Sequence, residues 1–178
     1  MVTYRLGPED GTLSVRTERT GAAAKAGHNL LFHATSWEAT VELGKPTTIV
    51  LEVDGGSLRV REGIGGMQAL QDEDRENIEQ TIDDEVLERD KITFRSTEVR
   101  PADDAAGLHV QGELTLLGAT RPLGFYLAIT GEGDLRAAAV VKQTDWGMKP
   151  YSGLFGALKV VDEVEVEIEA RLPAPQSL

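Results

Sequence analysis

The 178-residue sequence contains no cysteine, which removes disulfides, thiolate metal sites and cysteine nucleophiles together. It has only three histidines, His28, His33 and His109, and aromatic residues make up 5% of it. No apolar run approaches the roughly 18 residues that a membrane-spanning helix needs. The opening residues, Met1 to Asp10, show neither a basic start nor an apolar stretch of the ~7–15 residues of a secretory leader. The expectation is a cytoplasmic protein that does not span a membrane, or a periplasmic or secreted one if a leader has been removed. Cations are scarce too, with 18 Lys plus Arg against 30 Asp plus Glu and a formal net charge of −12. Such a chain lacks the positive charge that drives binding to phosphate backbones, and anionic lipid headgroups repel it as a whole. Nucleic acid is therefore disfavoured as a partner, while a homodimer is left open.

What the sequence does have is length and alternation. A chain of this size buries roughly 70% of its unfolded surface, and 1–178 reads as one domain. The dominant period is two, as in strands with one buried face. Val164, Val166, Ile168, Ala170 and Leu172 alternate with Glu163, Glu165, Glu167, Glu169 and Arg171. The same pattern gives about eight strands, at 12–18, 30–43, 47–54, 91–98, 107–117, 121–130, 134–144 and 160–172. The connections at 44–46, 103–107, 118–120 and 131–134 are short, polar and mostly glycine-bearing, which suits hairpins. Antiparallel strands in sequence order are relieved of their edges by closing into an up-and-down barrel. The fold expected is all-β with one inserted helix, an antiparallel up-and-down barrel. The insertion lies at about 67–89, where Leu70, Ile78, Ile82, Val86 and Leu87 have helical spacing and Asp72, Glu73 and Asp74 suit a helix N-terminus. From Asp72 to Lys91 ten acids face three bases, which reads as a solvated face or a docking surface for a basic partner. The tail 173–178 is expected to fray.

The usual signatures of chemistry are missing. His28 and His33 are five residues apart and would point to opposite faces of a strand, so no metal site is expected. His109 falls on a solvated face. His28, in Ala26-Gly27-His28-Asn29-Leu30, suits a turn hydrogen bond or, in a rival reading, a general base. No Gly-x-Ser-x-Gly elbow is present. Gly63-Ile64-Gly65-Gly66 lacks the ending and the parallel βαβ context of a phosphate loop, and reads as a flexible connection. The paired carboxylates Asp83-Asp84 and Asp103-Asp104 lie in hydrophilic stretches and read as solvation. What remains is the interior, whose apolar lining would either pack solid or hold an apolar ligand.

Several segments resemble the YceI-like family of polyisoprenoid-binding barrels. Val110-Gln111-Gly112-Glu113-Leu114-Thr115-Leu116-Leu117-Gly118-Ala119-Thr120-Arg121-Pro122 is similar to its strand–turn–strand signature. Ile92-Thr93-Phe94-Arg95-Ser96 resembles the segment after its helix, and Val53-Asp54-Gly55-Gly56-Ser57-Leu58 its strand ending before the helix. Trp146-Gly147-Met148 stands where a Phe-Gly-like element is common. These matches follow the family order over about 12–172. The sequence departs from the pattern at Lys91, where proline is common, at Leu117, where histidine is, and at Gly27-His28-Asn29-Leu30-Leu31.

The resemblance implies a lipocalin-like antiparallel barrel with a helix between early and middle strands, and a long apolar tunnel for an isoprenoid or related lipid. The function expected is binding, sequestration or transport of an apolar chain in the lumen, with no catalysis and no cofactor. The residues expected at the ligand are Trp37, Leu51, Phe94, Leu114, Leu116, Phe125 and Leu127, from strand parity, and Trp146, Met148 and Phe155, from the apolar segment 146–156, which is the expected lid. The rivals are a small enzyme on an apolar substrate with His28 as general base, and a protein-interaction module using the acidic helix.

Overall fold

The computed structural model describes residues 2–103 and 106–173. The centre of the expected 103–107 turn, and the expected frayed tail beyond its first residue, lie outside the described residues. Alternating burial produces β1 (Val2–Leu6), β2 (Gly11–Thr17), the short β3 (Arg19–Thr20), β4 (Asn29–Ala34), β5 (Trp37–Leu43), β6 (Thr48–Asp54) and β7 (Leu58–Ile64). After the helix α1 (Asp72–Thr81) come β8 (Lys91–Pro101), β9 (Gly107–Leu116), β10 (Ala119–Ile129), β11 (Asp134–Lys142), the short β12 (Ser152–Gly153) and β13 (Leu158–Val160), and β14 (Glu163–Arg171). Eleven of these strands form one sheet in the order β1-β5-β6-β8-β9-β10-β11-β14-β2-β4-β7, and β12-β13-β3 form a second. Every pairing is antiparallel among the described residues.

The expected count of eight is too low because long ribbons bend. Residues 29–43 and 48–64 make one hairpin, in which β5 pairs with β6 and, beyond the bend, β4 pairs with β7. One half continues into β8 and the other into β2 and β14, so the two halves stand at opposite ends of the hydrogen-bonded order and the sheet curls back on itself. Closure also differs from expectation, since the order keeps two ends, β1 and β7, instead of an unbroken ring. At the bends the buried parity flips, from Phe32 and Ala34 to Trp37, Ala39 and Val41 on one arm, and from Ile49 and Val53 to Leu58 and Val60 on the other. Main-chain bonds lock the turn: Thr35 N–H donates to the Ser57 carbonyl and Asp54 N–H to that of Ser36, both at 3.0 Å. The buried Ser57 hydroxyl donates to the Asp54 carbonyl at 2.8 Å. Gly55 donates to the Asp90 carbonyl at 3.1 Å and passes so near it that a Cβ would stand 2.2 Å from that oxygen.

Other boundaries move for physical reasons. β1 and β7 are additional to the expected set, and the Val53–Leu58 segment, read as a strand end, is a bend that leads into β7. The expected 160–172 strand divides into β13 and β14, and the expected 134–144 strand stops at Lys142, where a short turn, Gln143–Trp146, begins. The expected helix is regular only over Asp72–Thr81 and continues as a wider turn, Ile82–Val86. Ile78, Ile82, Val86 and Leu87 face the core, and most acids stay in solvent, but Asp83, expected with Asp84 to be surface solvation, is buried and pairs with Arg89 at 3.5 Å.

The helix also protects an edge. β7 has no strand on its outer side, a position that invites pairing with another chain. The Val60 N–H instead donates to Glu79 Oε1 at 2.8 Å, and Arg75 Nη1 donates to the carbonyls of Val60 and Arg61, each at 3.3 Å. Glu79→Ala leaves the buried Val60 N–H without its acceptor and should destabilise the fold by about 1–3 kcal/mol. Urea unfolding checks this against Glu76→Ala, on the solvated face, which should stay within about 0.5 kcal/mol.

Candidate functional site

The inner face of the curled sheet does not fill the space it encloses. Small residues recur along it, Ala34, Ala39, Ala137, Ala139 and Ala170 among them, and a cavity of about 870 Å³ remains. That is near the top of the ~300–1,000 Å³ range of small-molecule sites. Its wall is mostly aliphatic and aromatic, with Leu13, Val15, Leu135, Val141, Val166, Ile168 and the helix residue Ile78 adding to the expected set. The parity that identified the expected lining carries equal information for β2, β11 and β14, so these positions were available to the same argument. Gln143, although buried, spends its amide on the carbonyls of Val161 and Asp162, both at 3.2 Å.

Of the ten residues expected at the ligand, Leu51, Phe94, Leu114, Leu116, Phe125, Leu127 and Met148 line this cavity. Phe94 and Phe125 pack with ring centres 5.2 Å apart. The other three are placed elsewhere. Trp37 starts β5 just past the bend and is buried in the packed core beside the cavity, its indole nitrogen lacking a hydrogen-bond partner. Trp146 is buried too, but its indole N–H donates to the Leu114 carbonyl at 2.8 Å. That bond fastens the 143–146 turn to β9 and uses the ring as a structural pin. Phe155 points wholly into solvent.

One end of the cavity is open. Met67 and Tyr151 line it while being 80% and 44% exposed, which makes them part of its mouth. Three segments meet there. β3 pairs with β13, placing Thr20 opposite Lys159 and Arg19 opposite Val160. Arg19 Nη1 donates to the Gly27 carbonyl and, at 3.0 Å, to that of Ile64. His28 Nε2 lies 2.7 Å from the Gln68 carbonyl. A carbonyl only accepts, so Nε2 carries the proton and donates. The hydrogen bond expected of His28 within its own turn is instead a tie to a carbonyl 40 residues away, and it holds the 65–71 loop across the mouth. Gly65 and Gly66, at φ +81° and +78°, permit it, since a Cβ at Gly66 would stand 2.3 Å from His28 Nε2. The segment read as a flexible connection is thus a fastened turn. The expected lid, 146–156, contributes Met148 and Tyr151 to the lining.

Among the described residues no three His, Cys, Asp or Glu side chains gather as a metal site needs, and no helix is long and apolar enough to cross a membrane. The exposed His109 stacks edge-on against Tyr126 at 5.7 Å between ring centres.

A model of the YceI-like domain matches residues 10–172. The chain belongs to the YceI-like domain family. Solved structures with the same fold include BcnA of Burkholderia cenocepacia, at 13% identity and a TM-score of 0.65, covering 89% of this chain and 94% of that one. The YceI protein of Campylobacter jejuni matches at 12% identity and 0.57, covering 82% and 84%. A polyisoprenoid-binding domain of Saccharophagus degradans, implicated in plant cell wall breakdown, matches at 11% and 0.54, covering 96% and 98%. No curated protein matches this YceI-like chain.

His33 in β4 has its pKa lowered, first by burial and then by the Arg61 and Arg16 charges. The unfolded chain therefore binds more protons between the folded pKa and the ordinary value of 6.5. Stability is complete above pH 6.5 and falls as the pH drops through that window. Chemical denaturation across pH 5–7 should show a shallower fall for His33→Gln than for the parent protein.

Proposed function

We propose that this YceI-like protein binds one apolar chain, of isoprenoid or other lipid type, in the sheet interior and sequesters or carries it without transforming it. The observation that supports this is the cavity itself: about 870 Å³, lined mainly by aliphatic and aromatic side chains and open at one end. Polar groups near it are engaged with the protein's own main chain, as Gln143, Arg19 and His28 are, so the deep lining offers contact and little else.

The energetics select long ligands. Each buried CH₂ contributes about 0.8 kcal/mol, whereas association costs roughly 4–15 kcal/mol in lost freedom and ordering. A chain of about five carbons does not clear that cost, and one of about 20 does. The family match and the polyisoprenoid-binding neighbour agree with a ligand of this shape.

The test is native mass spectrometry of freshly purified protein, followed by organic extraction and lipid analysis. One apolar long-chain molecule per protein is the expected result. Ala137→Phe, which places a ring in the cavity from β11, should reduce uptake of a fluorescent isoprenoid by at least tenfold while keeping the folded far-UV spectrum. Protein that purifies empty and takes up no isoprenoid or fatty chain on titration would rule the proposal out.

A further inference from the structure

The distribution of charge around the mouth differs from that of the rest of the chain. Segments 19–37, 63–71 and 146–161 contain no Asp or Glu, although the protein has 30. They contain four cations, Arg19, Lys25, Lys149 and Lys159. The fold brings these segments together. Beyond the β3–β13 pairing, the Arg19–Ile64 bond and the His28–Gln68 bond, the Ala23 N–H donates to the Ala157 carbonyl at 2.8 Å. The acids flanking the segments are Glu18, Glu62, Glu38, Asp72, Asp145 and Asp162, and Asp74, in the first turn of α1, lines the cavity with its carboxylate accepting from the Gln71 N–H at 2.8 Å. Asp162 is turned to Thr144, whose N–H and hydroxyl both donate to it.

The same rim carries apolar side chains in water. Of the nine large hydrophobic residues exposed among the described residues, five are here: Ile64, Met67, Tyr151, Leu154 and Phe155. Leu154 and Phe155 adopt left-handed backbone, at φ +49° and +53°, a conformation unfavourable for bulky side chains. It presents both to solvent, at 58% and 112% exposure, where neither gains packing within the chain.

We propose that this rim is a membrane-docking surface, which sets the cavity mouth on an anionic bilayer with Leu154, Phe155 and Met67 inserted among the headgroups and the four cations over them. Apolar tips flanked by Lys and Arg are how peripheral proteins seat in the interfacial layer. Near such a surface each cation contributes about fivefold to binding. The net −12 disfavours adhesion of the molecule as a whole, so the charge pattern admits one orientation, with acid-rich strands directed away and the mouth facing the lipid. An apolar ligand then passes between bilayer and cavity without crossing water. The proposal goes beyond the cavity reading, and adhesion is measured independently of what the cavity holds.

The experiment is co-sedimentation with phosphatidylcholine vesicles, with and without phosphatidylglycerol, at low and high salt, using the full chain. The parent protein should bind phosphatidylglycerol vesicles at low salt and release them at high salt, as screening shortens the reach of the four charges. Lys149→Glu with Lys159→Glu should weaken binding at least about 25-fold, and Phe155→Asn, a residue that tolerates left-handed backbone, at least about tenfold. Both changes are at exposed positions, and thermal unfolding should show them folded as the parent. Parent protein left in the supernatant at low salt, or binding unaffected by Phe155→Asn, overturns the proposal. So does a dimer in sedimentation velocity that Phe155→Asn dissociates while vesicles fail to bind, because the rim is then an interface between copies. Parent protein that carries extractable lipid but binds no vesicles overturns only the docking surface, and parent protein that binds vesicles with an empty cavity overturns only the ligand reading.

Discussion

The structure depends on a mismatch of volume: a curled sheet this wide encloses more space than its inward side chains fill. Native interiors pack to near crystal density, yet the inner positions of β4, β5, β11 and β14 include Ala34, Ala39, Ala137 and Ala170. A dry, sealed void of 870 Å³ would cost about 20 kcal/mol at the ~24 cal/mol per Å³ found for core cavities. That exceeds the ~5–15 kcal/mol by which whole domains are stable. A space of this size is therefore left open, and the exposed Met67 and Tyr151 mark the way in. Water gains few hydrogen bonds from such a wall, whereas an apolar chain replaces the missing contacts. On the proposed reading, affinity for apolar matter follows from the sheet's geometry rather than from any single residue.

The bent hairpin sets that geometry. Because 29–43 and 48–64 change parity at Thr35-Ser36 and at Gly55-Ser57, one pair of ribbons supplies inward faces to two parts of the curled sheet. The bend leaves β7 without a neighbour on one side, and the inserted helix takes that place, offering Glu79 and Arg75 to main-chain groups that a strand would otherwise have paired. The helix that interrupts the alternation is thus the part that lets a sheet with free ends remain protected. Its acidic outer face keeps the covered edge solvated and repels a second copy.

Much of this was legible in the alternation, and the rest was hidden for identifiable reasons. β9 and β10 stand within two residues of expectation, and the end of β14 within one, because their apolar parity is unbroken. β4 and β5 read as one strand because nothing in the composition of Thr35-Ser36 interrupts an extended chain. The parity itself does record the break, even-numbered at Phe32 and Ala34 and odd-numbered from Trp37. Leu114, Phe94 and Leu127 were placed correctly on the cavity side by the same count. Trp146 and Phe155 are not, because a loop has no period: both are aromatic, and the eight residues between them carry no alternation. Only the fold reveals that one ring pins β9 through its N–H while the other stands in solvent. His28 could be read as a turn residue from its Gly27 and Asn29 neighbours, but its partner Gln68 lies 40 residues away.

Charge and shape meet at the mouth. The strands obey a simple division, glutamates outward and aliphatics inward, which β14 shows most plainly with Glu163, Glu165, Glu167 and Glu169 opposite Val164, Val166 and Ile168. That division needs a strand with water on one side. Where the sheet ends and the cavity opens, side chains border the apolar interior and the surface at once, and an acid there would be desolvated by any apolar ligand passing it. The absence of acids from three separate segments, which converge only in the folded chain, follows from that constraint. Long cations suit the same place, because their stems lie against apolar surface while their charged ends reach outward. A cationic, apolar rim is therefore what results when an apolar cavity must open somewhere on a surface otherwise covered by carboxylates.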